Sequence, residues 1–322
     1  MNAIQRVALL GGGGLIGSWL TERLTETGKE TVILTRRPDH AASARIFPTA
    51  EIVGVDACDT DALSQALAGC DAVVNLVGIL HGSRAQFEKA HVALTISALA
   101  ACRQAGIERY LHVSALGAAA DSPSLYQQSK AAAEAHVRAS ALKWTIFRPS
   151  VVFGPQDRFL NLFARLQASL PCLPLAGAGC RFQPVWVGDV ARALGSALEL
   201  DTTVGQTLEL AGPDILTLRE LVEYVGELTG NERPVISLPD SLAMLQAGLM
   251  ELLPGEPLMS RDNVRSLASD NVSQAGFPSG LLGFAPHSLF SLAPAWLASD
   301  SRQSRLDGYR SRTPANGPDA AV

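Results

Sequence analysis

The first 150 residues alternate short apolar runs with longer stretches in which apolar positions recur at helical spacing. This alternation predicts βαβ units and therefore a parallel sheet with helices on its faces. The helix predicted after the first strand has a leucine-rich face and ends before Gly28, which can cap it. The runs predicted as strands are residues 7–10, 31–35, 52–55, 72–77, 110–114 and 144–148.

The alternation becomes irregular beyond Arg148, where prolines are frequent. Thr217 and Glu220 have the spacing of a capping box, which predicts that a helix begins there. We therefore predict an α/β fold, a Rossmann-type doubly wound parallel sheet with a smaller C-terminal lobe on the substrate side. The predicted boundaries are 1–150 for the core, 151–300 for a lobe interleaved with the core, and 301–322 for a disordered tail.

Leucines recur at helical spacing between residues 238 and 253, where charged residues are few. We expect these leucines to be buried beneath the lobe, since apolar stripes usually belong to a core. The alternative is an exposed contact face for a membrane or a protein partner. The leucines concerned are Leu242, Leu245, Leu249 and Leu252.

Composition narrows the class of protein. The chain has 322 residues, of which 47% are hydrophobic, and its net charge of −5 gives no electrostatic reason to expect a nucleic-acid partner. Five cysteines without a Cys-x-x-Cys pair indicate a reducing compartment, and six histidines without ligand spacing predict no metal site. The first strand begins near Arg6 and no apolar run could span a membrane, so we expect neither a targeting peptide nor a transmembrane segment.

A glycine-rich turn joins the first predicted strand to the first predicted helix. Gly11, Gly14 and Gly17 recur at every third position, with Leu15 and Ile16 opening the helix. Such spacing allows a tight turn, a close approach to a pyrophosphate and close packing of the helix on the sheet. The alternative is a flexible turn without a ligand. The flanking strand and helix favour binding of a dinucleotide cofactor.

The end of the second strand predicts which dinucleotide is bound. An acidic residue there would bind the ribose 2′-hydroxyl of NAD, whereas arginine suits the 2′-phosphate of NADP. Thr35 occupies the expected acidic position, and Arg36 and Arg37 follow it. Two solvated surface arginines are the alternative. The sequence favours NADP(H) over NAD(H).

Two further strand ends carry candidate cofactor contacts. Asp56 follows the third strand, where a carboxylate could meet the adenine edge, although a helix cap or surface turn is an equal alternative and Asp59 competes for the cap. Leu76, Val77 and Gly78 follow the fourth strand, where a glycine leaves room for a cofactor ribose. An ordinary strand-to-loop glycine is again an equal alternative.

The candidate catalytic residues are Tyr126 and Lys130, which lie one helical turn apart. This spacing places a phenol and an ammonium on one helix face, where the cation can lower the pKa of the phenol. Tyr126 would exchange a proton with a substrate oxygen, and Lys130 would bind the nicotinamide ribose. An amphipathic helix surface is the alternative, which the upstream glycine turn disfavours.

A hydroxyl near the end of the fifth strand is the third expected partner. Ser114 matches the first serine of a Val-Ser-Ser pattern, whereas Ala115 occupies the position of the catalytic hydroxyl. Alanine cannot donate a hydrogen bond to a developing oxyanion. Ser114 is therefore a candidate site residue, and Ala115 predicts impaired or rearranged catalysis.

The segment from Arg148 to Pro155, with Pro149 and Val151 at the nicotinamide position, resembles the Arg-Pro…Tyr-Gly-Pro segment of extended short-chain dehydrogenases. Within that superfamily the chain is most similar to the atypical group that includes the dehydrogenase-like accessory subunit of respiratory complex I and its bacterial relatives. The segments that carry this similarity are 112–118, 126–131, 184–191 and 253–260.

The resemblance implies a Rossmann fold, a tightly held NADPH and a role in quinone-linked respiration in which turnover is unproven. Two hypotheses follow. One is an NADP-dependent oxidoreductase or epimerase that acts on a small molecule, which Tyr126 and Lys130 favour. The other is a non-catalytic subunit that holds NADPH and serves a respiratory complex, which Ala115 favours. We expect a cytoplasmic protein, with peripheral association at the inner face of the membrane as a second location.

Overall fold

The computed structural model describes residues 4–252 and 259–298. Seven parallel strands form its central sheet, in the order β3-β2-β1-β4-β5-β6-β11. The strands are β1 (Arg6–Leu10), β2 (Glu30–Thr35), β3 (Ala50–Gly54), β4 (Ala72–Asn75), β5 (Arg109–Val113), β6 (Lys143–Pro149), β7 (Val152–Phe153), β8 (Leu173–Ala176), β9 (Arg181–Phe182), β10 (Val185–Trp186), β11 (Gln206–Leu210), β12 (Leu216–Thr217) and β13 (Val235–Leu238). The predicted Rossmann-type α/β fold is confirmed.

The helices connect the strands and cover the sheet. They are α1 (Leu15–Glu26), α2 (Thr60–Ala66), α3 (Arg84–Phe87), α4 (Leu94–Gln104), α5 (Leu125–Arg138), α6 (Leu160–Ser169), α7 (Val187–Glu199), α8 (Leu218–Thr229), α9 (Asp240–Met250), α10 (Arg261–Ser266), α11 (Ser279–Leu282), α12 (Leu289–Leu292) and α13 (Pro294–Leu297). A π-helical turn, Glu88–Ala93, lies between α3 and α4, and 3₁₀ turns cover Pro38–Ile46 and Asp201–Thr203.

Local sequence signals account for several helix boundaries. The Asp59 side chain accepts hydrogen bonds from the backbone N–H groups of Asp61 and Ala62, so it caps α2. The predicted capping box of Thr217 and Glu220 opens α8. This helix ends at Gly230, whose φ of +66° is readily accessible only to glycine.

The sheet is buried on both faces, as a doubly wound fold requires. Alternate residues of β1 enter opposite cores, since successive side chains of a strand point to opposite sides. Leu9 packs in the core formed with α1 and α7, and Leu10 packs in the core formed with α2, α4 and α5.

Buried Arg109 joins the sheet to elements from the second half of the chain. Its guanidinium donates to the backbone oxygens of Lys143 and Ala197, each at 2.6 Å, and to the Thr203 hydroxyl at 2.9 Å. These bonds connect β5 to the end of α7 and to the turn before β11. The sheet therefore draws on residues beyond 150, and the boundaries 1–150 and 151–300 stay predictions.

The leucine stripe on α9 corrects one prediction. Leu242, Leu245, Leu249 and Leu252 are exposed at 51%, 61%, 59% and 81%, whereas Ala243 and Ala247 are buried. The prediction that these leucines are buried was therefore wrong. Both faces of α9 are apolar, and the helix packs through the face with small side chains, so periodicity alone could not identify the buried face. We call the four exposed side chains the leucine face.

Two parts of the sequence analysis fall beyond the described residues. The similarity segment 253–260 is described only at residues 259 and 260, and the predicted tail 301–322 lies entirely outside. Within the described part of the chain, none of the helices is both long and apolar enough to cross a membrane.

Candidate cofactor and active site

The glycine turn after β1 is shaped by close backbone contacts. Gly11 has a φ of +78°, a conformation that strongly favours glycine. A Cβ atom on Gly17 would lie 2.3 Å from the Gly12 carbonyl oxygen. Helix α1 can therefore begin this close to β1 only because residue 17 has no side chain.

The N-terminus of α1 is open to a ligand. Its N-cap, Gly14, is exposed, Leu15 and Ile16 are partly exposed, and no side chain caps the helix or places an acid in its first turn. The first N–H groups of a helix lack intrahelical acceptors and form the positive end of its dipole. Such a terminus binds phosphate groups. The residues present therefore fit a dinucleotide pyrophosphate.

Arg36 and Arg37 are both exposed at the end of β2, and the Arg37 N–H donates to the Thr35 hydroxyl at 3.1 Å. Burial raises the pKa of the Cys58 thiol, while the charges of Lys89 and Arg36 act to lower it. Cys58 thus lies within the field of both cations.

Asp56 lies in the turn between β3 and α2. Asp59 caps α2, so the helix-cap alternative for Asp56 is removed, whereas the surface-turn alternative stands, because the Asp59 N–H donates to the Asp56 carbonyl at 2.9 Å. Asp56 is exposed, and its carboxylate accepts the Cys58 backbone N–H at 3.1 Å. Its adenine contact stays a prediction.

Lys130 joins the ends of β4 and β5. Its ammonium donates to the Val113 carbonyl at 3.0 Å and to the Val77 carbonyl at 3.3 Å. Burial lowers the pKa of Lys130 to about 8. A Cβ on Gly78 would lie 3.2 Å from the ammonium nitrogen, so the glycine provides the space beside it. In the same segment, the Leu76 N–H donates to the Leu10 carbonyl at 2.9 Å, so the chain after β4 stays attached to the end of β1.

Tyr126 is partly buried between two rings. Phe87 and His91 approach it edge-on, with ring centroids 6.1 Å and 5.6 Å away. Burial raises the pKa of Tyr126 to about 12, which is opposite to the lowering expected from Lys130. At neutral pH the phenol is therefore protonated, and it can donate a proton rather than accept one.

His91 is a residue that the sequence analysis missed. Its Nε2 accepts the Ile79 N–H at 3.0 Å, so Nδ1 carries the proton and donates to the Ser129 hydroxyl at 2.7 Å. Burial lowers the pKa of His91 to about 3, so the ring is neutral. It lies in the π-helical turn, and no sequence signal marked that turn.

Ser114 is buried directly after β5, and its hydroxyl has no hydrogen-bond partner among the described residues. Burial raises the pKa of the nearby Glu134 carboxyl on α5, but hydrogen bonds from Arg148 and Arg138 outweigh this effect and hold the pKa below its usual value. Arg148 makes two of these bonds, at 2.8 Å and 2.7 Å. The neighbouring Ala115 supplies no hydroxyl.

Pro149 and Val151 lie where β6 leaves the sheet. The Pro149 carbonyl accepts the Leu116 N–H, and the Val151 carbonyl accepts the Val185 N–H, each at 2.9 Å. The candidate residues therefore collect around the carboxyl ends of the parallel strands, where such folds bind ligands. Their individual roles stay predictions.

Comparisons with known proteins agree with this geometry. A family model described as NAD(P)H-binding matches residues 11–157. The chain is 32% identical to the mitochondrial NADH dehydrogenase (ubiquinone) 1 alpha subcomplex subunit 9 of Arabidopsis thaliana, over 87% of this chain and 74% of that protein. Identity to the Mus musculus protein of the same name is 32%, over 84% and 73%.

Enzymes occur among the similar proteins too. The chain is 30% identical to a ceramide reductase of Caulobacter vibrioides, over 76% of each protein. The solved structure of the epimerase Mth375 from Methanothermobacter thermautotrophicus matches with a TM-score of 0.72 at 18% identity, covering 96% of this chain and 95% of that one. That structure supports the fold alone. The family match and the glycine turn together establish NAD(P)H binding.

Proposed function

We propose that this chain, which belongs to the family of the mitochondrial NADH dehydrogenase (ubiquinone) 1 alpha subcomplex subunit 9, holds NADPH as a standing cofactor in a quinone-linked respiratory assembly. The observation that carries the proposal is the open N-terminus of α1 behind Gly11 and Gly14, with Arg36 exposed at the end of β2. Bound NADPH would supply a hydride donor at this site.

The preference for NADPH rests on charge. An acid after β2 would accept from a ribose hydroxyl and repel a phosphate, but Thr35 stands there and its hydroxyl accepts from the Arg37 backbone. Arg36 offers a planar fork of donors that matches a 2′-phosphate.

Arg36→Asp is expected to reverse the cofactor preference, because it replaces a phosphate donor with a group that accepts from a ribose hydroxyl. Wild-type protein should bind NADPH at least about tenfold more tightly than NADH, a difference of about 1.4 kcal/mol. Calorimetric titration with both nucleotides measures this. Arg45→Asp, on the exposed 3₁₀ segment, is the matched control and should leave the ratio unchanged. Tighter binding of NADH by the wild type would refute the preference.

Holding, rather than turnover, is favoured by the reacting end of the site. Ala115 leaves a substrate oxygen without the expected hydroxyl donor. The Lys130 ammonium donates to two backbone carbonyls, which lie at the ends of β4 and β5. These features would bind NADPH firmly but would stabilise an oxyanion poorly.

The second candidate function is an NADPH-dependent reductase. Tyr126 keeps its phenolic proton at neutral pH, so it could protonate a substrate oxygen as a hydride arrives. Lys130 lies at the correct helical spacing to stabilise the resulting phenolate. The similarity to a ceramide reductase favours the same candidate.

The leucine face supports a partner for the chain. Three exposed leucines of α9, with Leu252 just beyond its end, form an apolar surface of the kind that protein or membrane contacts cover. A respiratory complex is the partner we propose, and peripheral contact at the inner membrane face would follow from it.

Tyr126→Phe is expected to leave NADPH affinity and complex assembly unchanged, because the substitution removes only the phenolic oxygen.

A variant carrying both Leu245→Ser and Leu249→Ser should bind NADPH normally but should no longer comigrate with NADH:quinone oxidoreductase activity in native gels. Ser241→Ala, at an exposed position of α9 outside the leucine face, is the control for substitution in this helix. Loss of an NADPH-linked reductase activity in Tyr126→Phe would favour the second candidate function.

A further inference from the structure

The start of α5, the helix that carries Tyr126, is held by a residue from far along the chain. Asp262, in α10, accepts hydrogen bonds from the Leu125 N–H at 2.7 Å and from the Tyr126 N–H at 3.1 Å. The same carboxylate accepts from the Ser124 hydroxyl at 2.8 Å. The two partners Asp262 and Tyr126 are 136 residues apart.

This carboxylate satisfies donors that α5 cannot satisfy itself. The first N–H groups of any helix lack intrahelical acceptors, and a negative charge near them interacts favourably with the helix dipole. Ser124, the N-cap, covers only the Gln127 N–H, at a long 3.4 Å. Asp262 is 7% exposed, so its bonds act where water competes weakly.

Helix α10 is itself tied to the end of α9. Glu251 accepts the Arg261 backbone N–H at 2.7 Å and its guanidinium Nε at 2.8 Å. Ser260 and Asn263 form a capping box that sets the orientation of α10. A continuous set of polar contacts therefore runs from the helix bearing the leucine face to the backbone of Tyr126.

We propose that Asp262 is a positioning residue, which fixes the start of α5 and thereby couples the location of the Tyr126 phenol to the placement of α9 and α10. Movement of these two helices would shift the phenol. Conversely, binding of the cofactor would reduce the motion of the two helices. Only this second, reciprocal part rests on the proposed function.

Asp262→Asn tests the coupling without a cofactor. Amide hydrogen exchange at Leu125 and Tyr126 should accelerate by about tenfold, while exchange in α1 stays at the wild-type rate. The ¹³C resonance of the Tyr126 ring, one of four tyrosines and assigned with Tyr126→Phe, should shift. Asp240→Asn is the matched control, because Asp240 is an exposed acid in the first turn of α9.

A merely structural role would accelerate exchange throughout the protein and leave the Tyr126 resonance of the folded state in place. That result overturns the proposal, as does wild-type exchange at both amides. Asp262→Glu should restore part of the protection, since it keeps the charge. If Asp262→Asn does not fold, Glu251→Ala removes the contacts of α9 with Arg261 and should give the same local acceleration at Leu125 and Tyr126 on a smaller scale.

The reciprocal arm uses wild-type protein. Saturating NADPH should slow exchange across residues 259–266, although none of them is a predicted cofactor contact. Calorimetry establishes separately that NADPH binds. Failure to bind would count against the proposed function and leave the cofactor-free result intact, whereas binding without protection of 259–266 would overturn the reciprocal coupling.

Discussion

Gly17→Ala is expected to lose NADPH binding and at least about 3 kcal/mol of stability. The new methyl group would lie 2.3 Å from the Gly12 carbonyl oxygen, and both atoms belong to parts of the fold that cannot rotate away. Relief requires α1 to move off β1, which displaces the turn that would seat the pyrophosphate. Urea unfolding and NADPH titration measure the two effects.

Gly195→Ala is the matched control for Gly17→Ala. Gly195 lies within α7, which packs along α1, and its added Cβ would come no closer than 3.5 Å to the Arg23 side chain. Alanine favours a helix over glycine, so stability should stay the same or rise by up to about 1 kcal/mol. A Gly17→Ala protein with wild-type stability and NADPH affinity would contradict the described turn.

Lys130→Met is expected to remove a rise in stability that the wild type shows between about pH 8 and pH 10.5. Burial lowers the pKa of Lys130 from 10.5 to about 8. Over that window the unfolded chain holds a proton that the folded chain has released, so the free energy of unfolding increases with pH. The difference between the two pKa values corresponds to about 3 kcal/mol. Urea unfolding of both proteins across the window measures it.

Lys143→Met provides the control with the opposite sign. Lys143 lies at the surface beside Glu108, which raises the pKa of the lysine above 10.5, so the stability it contributes is lost only as pH rises past that value. Lys143→Met should therefore keep the wild-type rise between about pH 8 and pH 10.5. Parallel pH profiles for wild type and Lys130→Met would show that the ammonium is not buried as described. Loss of NADPH affinity in Lys130→Met would additionally support the proposed ribose contact.

Features set by short-range spacing were predictable from the sequence. The glycine turn, the six strands before residue 150 and the capping box at Thr217 each depend on neighbouring residues, so their patterns are visible in the chain. The absence of a hydroxyl at residue 115 was also visible in the sequence, since Ala115 is located by its spacing from the end of the fifth strand. Whether Asp56 or Asp59 caps α2 could be decided only from the structure, because both residues precede the same helix.

Features set by packing between distant segments were not predictable. The pKa of Tyr126 depends on Phe87 and His91, which approach it from a π-helical turn without a sequence signature. The buried side of α9 depends on what lies beneath it, because both of its faces are apolar. Asp262 lies 136 residues from Tyr126 in the sequence and reaches α5 only through folding.

The bonds of Arg109 bear on how the protein emerges from the ribosome. A nascent chain released only to residue 150 lacks Ala197, Thr203 and β11, so the Arg109 guanidinium has lost two of its acceptors and β6 is an open edge. An unpaired edge strand invites pairing with other chains. Synthesis must therefore pass Leu210 before β6 is paired on both sides, and until then the exposed edge of β6 is open to pairing with another chain.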